Sequence, residues 1–211
     1  MRMSHPTPTP EPLPFDHLYS GMDARRGDAA VIPLSDAAVV QFDQLLHEIN
    51  ADAPRVDNDR LQQLANWLLR LPGDSAQRVI DTRLQSLHDL RRMLDDPDWD
   101  CDDALRARAA KLLAYIDRED DLIADRVPLL GRLDDVLLIE LAWPAFADEV
   151  EDHRDFSSYR RAEHPHGAGG EQRAQWVRDR LDEVALWQHA LWVREQHYAP
   201  WRLPMELFRI S

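Results

Sequence analysis

The chain has 211 residues and an ordinary apolar content of 44%, which is enough for one domain with a full hydrophobic core. Its net charge of −14 at pH 7 disfavours nucleic acid as a partner, because a field of that sign repels phosphate backbones. A single cysteine, Cys101, excludes an intramolecular disulfide framework and a multi-cysteine zinc site, and it fits a cytoplasmic location.

The first 34 residues contain the stretch "TPTPEPLP", in which every second residue is a proline. This composition favours an extended, polyproline-like conformation over a helix. We therefore predict that residues 1–34 form a flexible Pro-rich arm. Proline and threonine also occupy the positions where a secretory signal would need an apolar run.

From Ser35 onward the apolar residues recur with the 3.6-residue period of an α-helix. The predicted helical segments are 35–52, 57–71, 74–96, about 102–116, 134 to about 150, and about 171–198. No segment alternates with a period of two, so the pattern predicts an all-α fold. We expect a single compact bundle of about six helices over residues 35–200, followed by a C-terminal tail at 201–211.

The densest acidic run is "DDPDWDCDD", residues 95–103. Its alternating aspartates are similar to those of a calcium-binding loop, but such a loop would also need glycine at position 103 and glutamate at position 109. The chain has Asp103 and Ala109 there. We expect instead a turn between helices, in which Asp102 or Asp103 caps the next helix.

The last predicted helix is rich in tryptophan, with Trp176, Trp187 and Trp192. Several apolar residues of this helix fall on one stripe: Val177, Leu181, Val184, Leu191 and Trp192. The favoured interpretation is that the rings fill grooves between helices, since aromatic side chains dominate the energetics of cores. The alternative is an exposed aromatic patch that binds a partner or forms a homodimer.

Four aspartates surround a turn in the segment "DDLIADRVPLLGRLDDVLLIEL", residues 120–141. Asp121 and Asp125 are four residues apart, so a helical turn would place both on one face, and Asp134 and Asp135 follow a turn that contains proline and glycine. Four converging carboxylates would suit Mg²⁺ or Mn²⁺. Alternatively, Asp134 caps the following helix, Asp135 favours its dipole, and the other two meet arginines.

Glu140 lies among large apolar residues in "VLLIELAW". A carboxylate in such surroundings needs a partner, because burying an unpaired charge is costly. Glu140 is a candidate for an additional metal ligand or for a general base. It is otherwise the single polar position of a mostly buried helix.

Three pieces of this segment resemble, in order and spacing, the motif of the YkvA-like family, a bacterial domain of uncharacterised function. The pieces are "DLIAD" (121–125), "VPLLG" (127–131) and "LDD" (133–135). The resemblance covers roughly residues 105–145 and leaves the rest of the chain unexplained. It implies that the same four aspartates are the polar positions of the motif.

Two positions depart from the family pattern, which usually has proline where this chain has Ala124 and Glu119. Their loss makes the turn around the first two aspartates less rigid. Some relatives are associated with membranes through the helix after the motif. In this chain Glu140 and Pro144 argue against a membrane span, and peripheral membrane association stays open.

Two functions are consistent with these patterns. The favoured one is a non-enzymatic binding or regulatory protein whose acidic face, residues 95–152, engages a basic protein partner; this stretch has 18 acidic and 6 basic residues, a net charge of −12. The alternative is a divalent-metal-dependent hydrolase of phosphoesters or nucleotides, with metal at the four aspartates and Glu140 as base. The first is favoured because the chain has no P-loop and no G-x-S-x-G motif.

Overall fold

The computed structural model describes residues 11–14, 32–118, 122–123 and 127–195. Within these ranges the protein has seven α-helices, two short 3₁₀ turns and no β-strand, which confirms the predicted all-α fold. The helices are α1 (Asp36–Ile49), α2 (Asn58–Arg70), α3 (Gly73–Asp95), α4 (Asp103–Ile116), α5 (Leu133–Ala142), α6 (Ala147–Glu163) and α7 (Gly169–Glu195). Most of the predicted arm and the whole predicted tail lie outside the described residues.

The chain forms two compact units. The sequence pattern predicted a single domain over residues 35–200. The larger unit consists of Pro10–Asp95 and Cys101–Glu151. Of the described residues, the smaller unit contains Asp96–Asp100 and residues 152–195. Within the described residues, the chain passes between the units at 95/96, at 100/101 and, within α6, at 151/152.

Aspartate side chains cap the N-termini of two helices. The side chain of Asp57 accepts a hydrogen bond from the backbone N–H of Arg60 at 2.8 Å, at the start of α2. Asp102 accepts one from the N–H of Leu105 at 3.1 Å, at the start of α4. Each bond satisfies one of the N–H groups that have no partner within the helix. The prediction that the acidic run ends in a helix cap is therefore confirmed, with Asp102 as the cap.

The prediction of one continuous helix from Asp134 to about residue 150 is wrong, because the helix is interrupted between residues 142 and 147. Helix α5 ends at Ala142, and a 3₁₀ turn, Trp143–Ala145, precedes α6. Pro144 lies in this turn. Proline has no N–H to donate and its ring clashes with the carbonyl one turn earlier, so a continuous helix would be strained at this point. Helix α6 then continues through the polar stretch 151–163, which was not predicted to be helical.

Helix α5 lies at the centre of the larger unit and contacts α1, α3 and α4. Every side chain from Leu133 to Ile139 is buried. A helix that is apolar on all sides must be covered on all sides, and three neighbouring helices provide that cover. The carboxylates of α5 are therefore held inside the unit.

Residues 11–14 of the predicted arm are packed against the larger unit. The Leu13 side chain is buried, and its backbone N–H donates to Glu140 Oε1 at 2.7 Å. Arg83 Nη2 donates to the carbonyl of Glu11 at 2.7 Å. This part of the arm is thus fixed to helices α3 and α5.

Aromatic rings form the core of the smaller unit, where α7 packs on the second part of α6 and on residues 96–100. Trp99 contacts Phe156 and Trp176 with ring centroids 5.6 and 5.9 Å apart. Phe156 and Trp176 are themselves 5.7 Å apart. All three rings are buried, so their contacts join the elements of this unit.

Candidate functional site

Two of the four aspartates of the predicted metal site lie in the described part of the chain. Asp134 and Asp135 are in the first turn of α5, and both are buried. Asp121 and Asp125 lie outside the described residues. Among the residues that the structure describes, no group of three or more His, Cys, Asp or Glu side chains is placed to hold a metal ion. Binding of Mg²⁺ or Mn²⁺ by the four aspartates stays a prediction.

Asp134 holds the turn that follows α4. Its Oδ2 atom accepts hydrogen bonds from the Tyr115 hydroxyl at 2.7 Å and from the backbone N–H groups of Leu122 and Ile123, both at 3.2 Å. A carboxylate with three donors on one oxygen stabilises a buried turn strongly. Asp134 therefore does not cap α5, whose first residue is Leu133 and whose N-terminus has no side-chain cap.

Glu140, the candidate base, has a partner on each oxygen. Oε2 accepts from Arg83 Nε at 2.6 Å, and Oε1 accepts from the Leu13 N–H. The Arg83 side chain is 4% exposed and that of Glu140 is 16% exposed, so this is a largely buried ion pair. Glu140 also borders a cleft of about 560 Å³ that Asn50 and Arg108 help to line. The geometry gives Glu140 a structural function, which is to join α5 to α3 and to the N-terminal segment.

The acidic stretch 95–152 exposes fewer charges than its composition suggests. Asp134 and Asp135 are buried, and Glu140 is paired. Others are exposed, as Asp100 and Asp103 are. Four more acidic residues of the stretch lie between 119 and 125, outside the described residues. Binding of a basic partner to this face therefore stays a prediction.

The smaller unit contains a polar cluster around Asp96 that the sequence analysis missed. Asp96 Oδ2 accepts from His153 Nε2 at 3.0 Å and from Arg160 Nη2, and Asp96 Oδ1 accepts from the backbone N–H of Asp98 at 3.0 Å. Burial by itself would raise the pKa of Asp96. The bonds from the Asp98 N–H, His153 and Arg160 more than offset it and lower the pKa below the usual 3.8. His153 and Arg160 are seven residues apart, about two turns of α6, and this spacing was the only indication in the sequence that both could reach the same carboxylate.

Asp96, His153 and Ser157 do not form a nucleophilic triad. The Ser157 hydroxyl lies 3.4 Å from His153 Nε2, the same nitrogen that contacts Asp96. A triad requires the serine on one ring nitrogen and the carboxylate on the other, so that the imidazole can pass a proton between them. The cluster therefore joins α6 to the acidic turn and does not have the geometry of a nucleophilic triad.

Helix α7 has two parts with different surroundings. In its first part, residues 169–180 (the packed half), Trp176 Nε1 donates to Asp155 Oδ2 at 2.8 Å. Arg180 Nη2 donates to Asp155 Oδ1 at 2.7 Å, and the Tyr159 hydroxyl donates to Asp179 at 2.7 Å. The predicted filling of a groove by tryptophan is confirmed for Trp176.

In residues 181–195 (the exposed half) the apolar side chains face water. Leu181 is 64% exposed, Trp187 45% and Trp192 54%. All six consecutive side chains from Val184 to His189 are exposed, which covers more than a full turn, so no side of the helix is packed there. The favoured prediction is wrong for Trp187 and Trp192. These rings belong to an exposed aromatic patch, as in the alternative interpretation.

Comparisons with known protein families, with curated proteins and with solved structures found no match to this chain. The resemblance of residues 105–145 to the YkvA-like family therefore stays a prediction. Among the described residues, no helix is both long and apolar enough to cross a membrane.

Proposed function

We propose that this chain is a non-enzymatic binding protein that engages a protein partner through the exposed half of α7. The observation that carries the proposal is the unbroken exposure of Val184 to His189, a run that includes Val184, Leu186 and Trp187. Large apolar side chains on a helix are normally packed against another element. An exposed apolar patch of this kind marks an interaction surface.

The free energy available to such an interface is substantial. Trp187 and Trp192 are each about half exposed. A tryptophan presents about 150–250 Å² to its surroundings, so the two rings leave roughly 200 Å² in water. At about 25 cal/mol per Å², covering them would contribute roughly 5 kcal/mol. Leu181, Val184 and Leu186 add to this area, since each is about half exposed or more.

Three of the described carboxylates support a non-enzymatic function because their hydrogen bonds stabilise the fold. Glu140 pairs with Arg83, Asp134 holds the turn after α4, and Asp96 is bound by Arg160 and His153. A general base or a metal ligand needs an oxygen directed at its substrate or ion. These side chains direct oxygens at neighbouring groups of the protein instead.

Site-specific photo-crosslinking tests the proposal. Trp187 is replaced by p-benzoylphenylalanine in cells that make the protein, and the same replacement at Arg161 serves as control, because Arg161 is exposed on α6 of the same unit. After irradiation we expect a discrete protein adduct at position 187 and none at position 161. No adduct at position 187, or equal adducts at both positions, would overturn the proposal.

A further inference from the structure

We propose that the partner of the exposed half is a second copy of this chain, with the two α7 helices packed antiparallel about a two-fold axis near Gln188 and His189. This inference rests on the proposed function and names the partner at the same surface.

The apolar residues of α7 form a stripe suited to pairing with another helix. Val177, Leu181, Val184, Trp187 and Leu191 follow one another at intervals of four, three, three and four residues. These intervals place all five on one face of the helix and produce the seam of an antiparallel helix pair. About an axis near residues 188 and 189, Val184, Trp187 and Leu191 interleave with the same three residues of the second copy, as an isologous two-fold interface requires. The other two stripe residues lie beyond this overlap.

Two charges beside the stripe select the antiparallel orientation. Glu183 and Arg194 are eleven residues apart, close to three helical turns, so they lie on the same side of α7, next to Trp187. Their midpoint falls between residues 188 and 189. In an antiparallel pair centred there, each Glu183 lies opposite Arg194 of the other copy, and the two-fold axis creates this contact twice. In a parallel pair the two-fold axis runs along the helices and places this side of α7 on opposite edges of the interface in the two copies, so neither ion pair would form.

The charges are available for this contact. Arg194 is exposed. Glu183 is half-buried and accepts from Arg180 Nη1 at 2.7 Å within α7. A carboxylate has lone pairs for several donors, so Glu183 can keep Arg180 and accept from a second arginine.

The size of the surface predicts a reversible dimer. The exposed half is 15 residues long, about 22 Å at 1.5 Å per residue. Its tryptophan rings supply roughly 400 Å² over two copies, against about 1,200–2,000 Å² for a standard stable interface. The exposed aliphatic side chains add to this area, and a pair of 15-residue helices stays at or below the lower end of this range. Association should therefore depend on protein concentration.

Sedimentation equilibrium of the purified full chain tests this inference. The monomer mass is 24.5 kDa, and we expect the average mass to rise towards twice that value as the concentration increases from about 1 to 100 μM. Glu183→Arg and Arg194→Glu each place like charges opposite each other and should raise the dimer dissociation constant about tenfold or more. The double variant restores opposite charges across the axis and should recover most of the loss.

Asp182→Arg is the matched control, because Asp182 is exposed next to Glu183 but lies on the far side of the helix from the stripe. It should leave the dissociation constant unchanged. Circular dichroism of each variant checks that the helices are intact.

The outcomes separate this inference from the proposed function. A chain that stays monomeric at all concentrations overturns the second-copy partner, while a crosslink from position 187 to a different protein still supports the binding function. A dimer that Val184→Asp leaves intact uses another surface, and that result also overturns the inference. Single charge variants without effect, or a double variant no better than the singles, contradict the antiparallel arrangement.

Discussion

The two halves of α7 are similar in composition and opposite in environment. Trp176, in the packed half, is 8% exposed, whereas Trp187, three turns later, is 45% exposed. The difference in exposure arises because other elements of the smaller unit contact the packed half. Trp99, Phe156 and Asp155 meet the packed half, through ring contacts and through the hydrogen bond to Trp176 Nε1.

In the exposed half, Trp192 stacks on His189 of the same helix, with ring centroids 5.9 Å apart. Such a contact can stabilise a helix but does not remove the rings from water. The comparison teaches that an apolar helix acquires a structural or a binding function according to its neighbours. Four predictions test it, from the largest effect to the smallest.

The largest effect is expected from truncating a ring in the packed half. Trp176→Ala removes contacts with Trp99 and Phe156 and should destabilise the protein by about 3–5 kcal/mol. Trp187→Ala should change the stability of the monomer by no more than about 0.5 kcal/mol. Urea unfolding, followed by circular dichroism at low protein concentration, measures both. Equal effects would contradict the division of α7 into two halves.

The second prediction concerns Asp155, which accepts from both Trp176 and Arg180. Asp155→Ala removes the acceptor of the Trp176 indole N–H and of the Arg180 guanidinium. Because the site is half-buried, we expect the free energy of unfolding to fall by about 2–3 kcal/mol. Asp182→Ala, on the exposed half, should cost almost nothing. The same unfolding measurement compares the two, and a loss below about 0.5 kcal/mol for Asp155→Ala would argue against the polar anchoring of α7.

The third prediction is a loss of stability in acid that involves Asp96. Its pKa in the folded protein is below the value of 3.8 in the unfolded chain, owing to the bonds described above. The folded state therefore binds this proton less readily. The contribution of Asp96 is fully present above pH 3.8 and is lost as the pH falls through the lower, folded pKa.

Asp96→Asn should accordingly reduce stability at neutral pH and flatten the acid limb of a pH–stability curve. Asp100→Asn is the control, because Asp100 is 96% exposed. An Asp96→Asn variant with an unchanged acid limb would show that the cluster with His153 and Arg160 does not stabilise the unit.

The smallest effect is expected for Tyr159, whose hydroxyl donates to Asp179 at the packed half. Burial, followed by this hydrogen bond and the charge of Asp179, raises the pKa of Tyr159 from 10.0 to about 12. The stabilising contribution is present below pH 10 and is lost as the pH rises through about 12. Tyr159→Phe keeps the ring and removes one hydrogen bond, which should cost about 1 kcal/mol.

Ultraviolet titration of tyrosinate absorbance measures this pKa directly. The difference between the wild-type titration and that of Tyr159→Phe should contain one ionisation near pH 12. A difference titration with its midpoint near pH 10 would contradict the hydrogen bond to Asp179.

Much of the fold was accessible from sequence because it depends on local patterns. The 3.6-residue period located α1 to α4 and α7, and Asp102 was predicted as a cap from its place before an apolar run. The part of α6 after residue 150 was missed because its buried residues, His153, Phe156 and Tyr159, are three apart in a highly charged stretch and give little apolar periodicity. The break at Pro144 was missed although proline is a helix breaker, because the apolar residues continue past it.

The candidate sites were less accessible because they depend on contacts between distant residues. Arg83 and Glu140 are 57 residues apart, and nothing in either segment indicates that they pair. The exposure of Trp187 is likewise a property of its neighbours, since the same stripe would be a core face if another helix covered it. The aspartate motif could be located from sequence, but the attachment of Asp134 to the Leu122–Ile123 turn required the structure.

Hydroxyl-radical footprinting with mass spectrometry tests the central claim, that a protein partner covers the exposed half of α7. Oxidation of Trp187 and Trp192 is compared between the dilute purified chain and intact cells that make it, with buried Trp176 as the internal reference. The account predicts that both rings are oxidised readily in the dilute chain and are protected several-fold in cells, while Trp176 is protected in both. Equal oxidation of Trp187 and Trp192 in the two settings would contradict it.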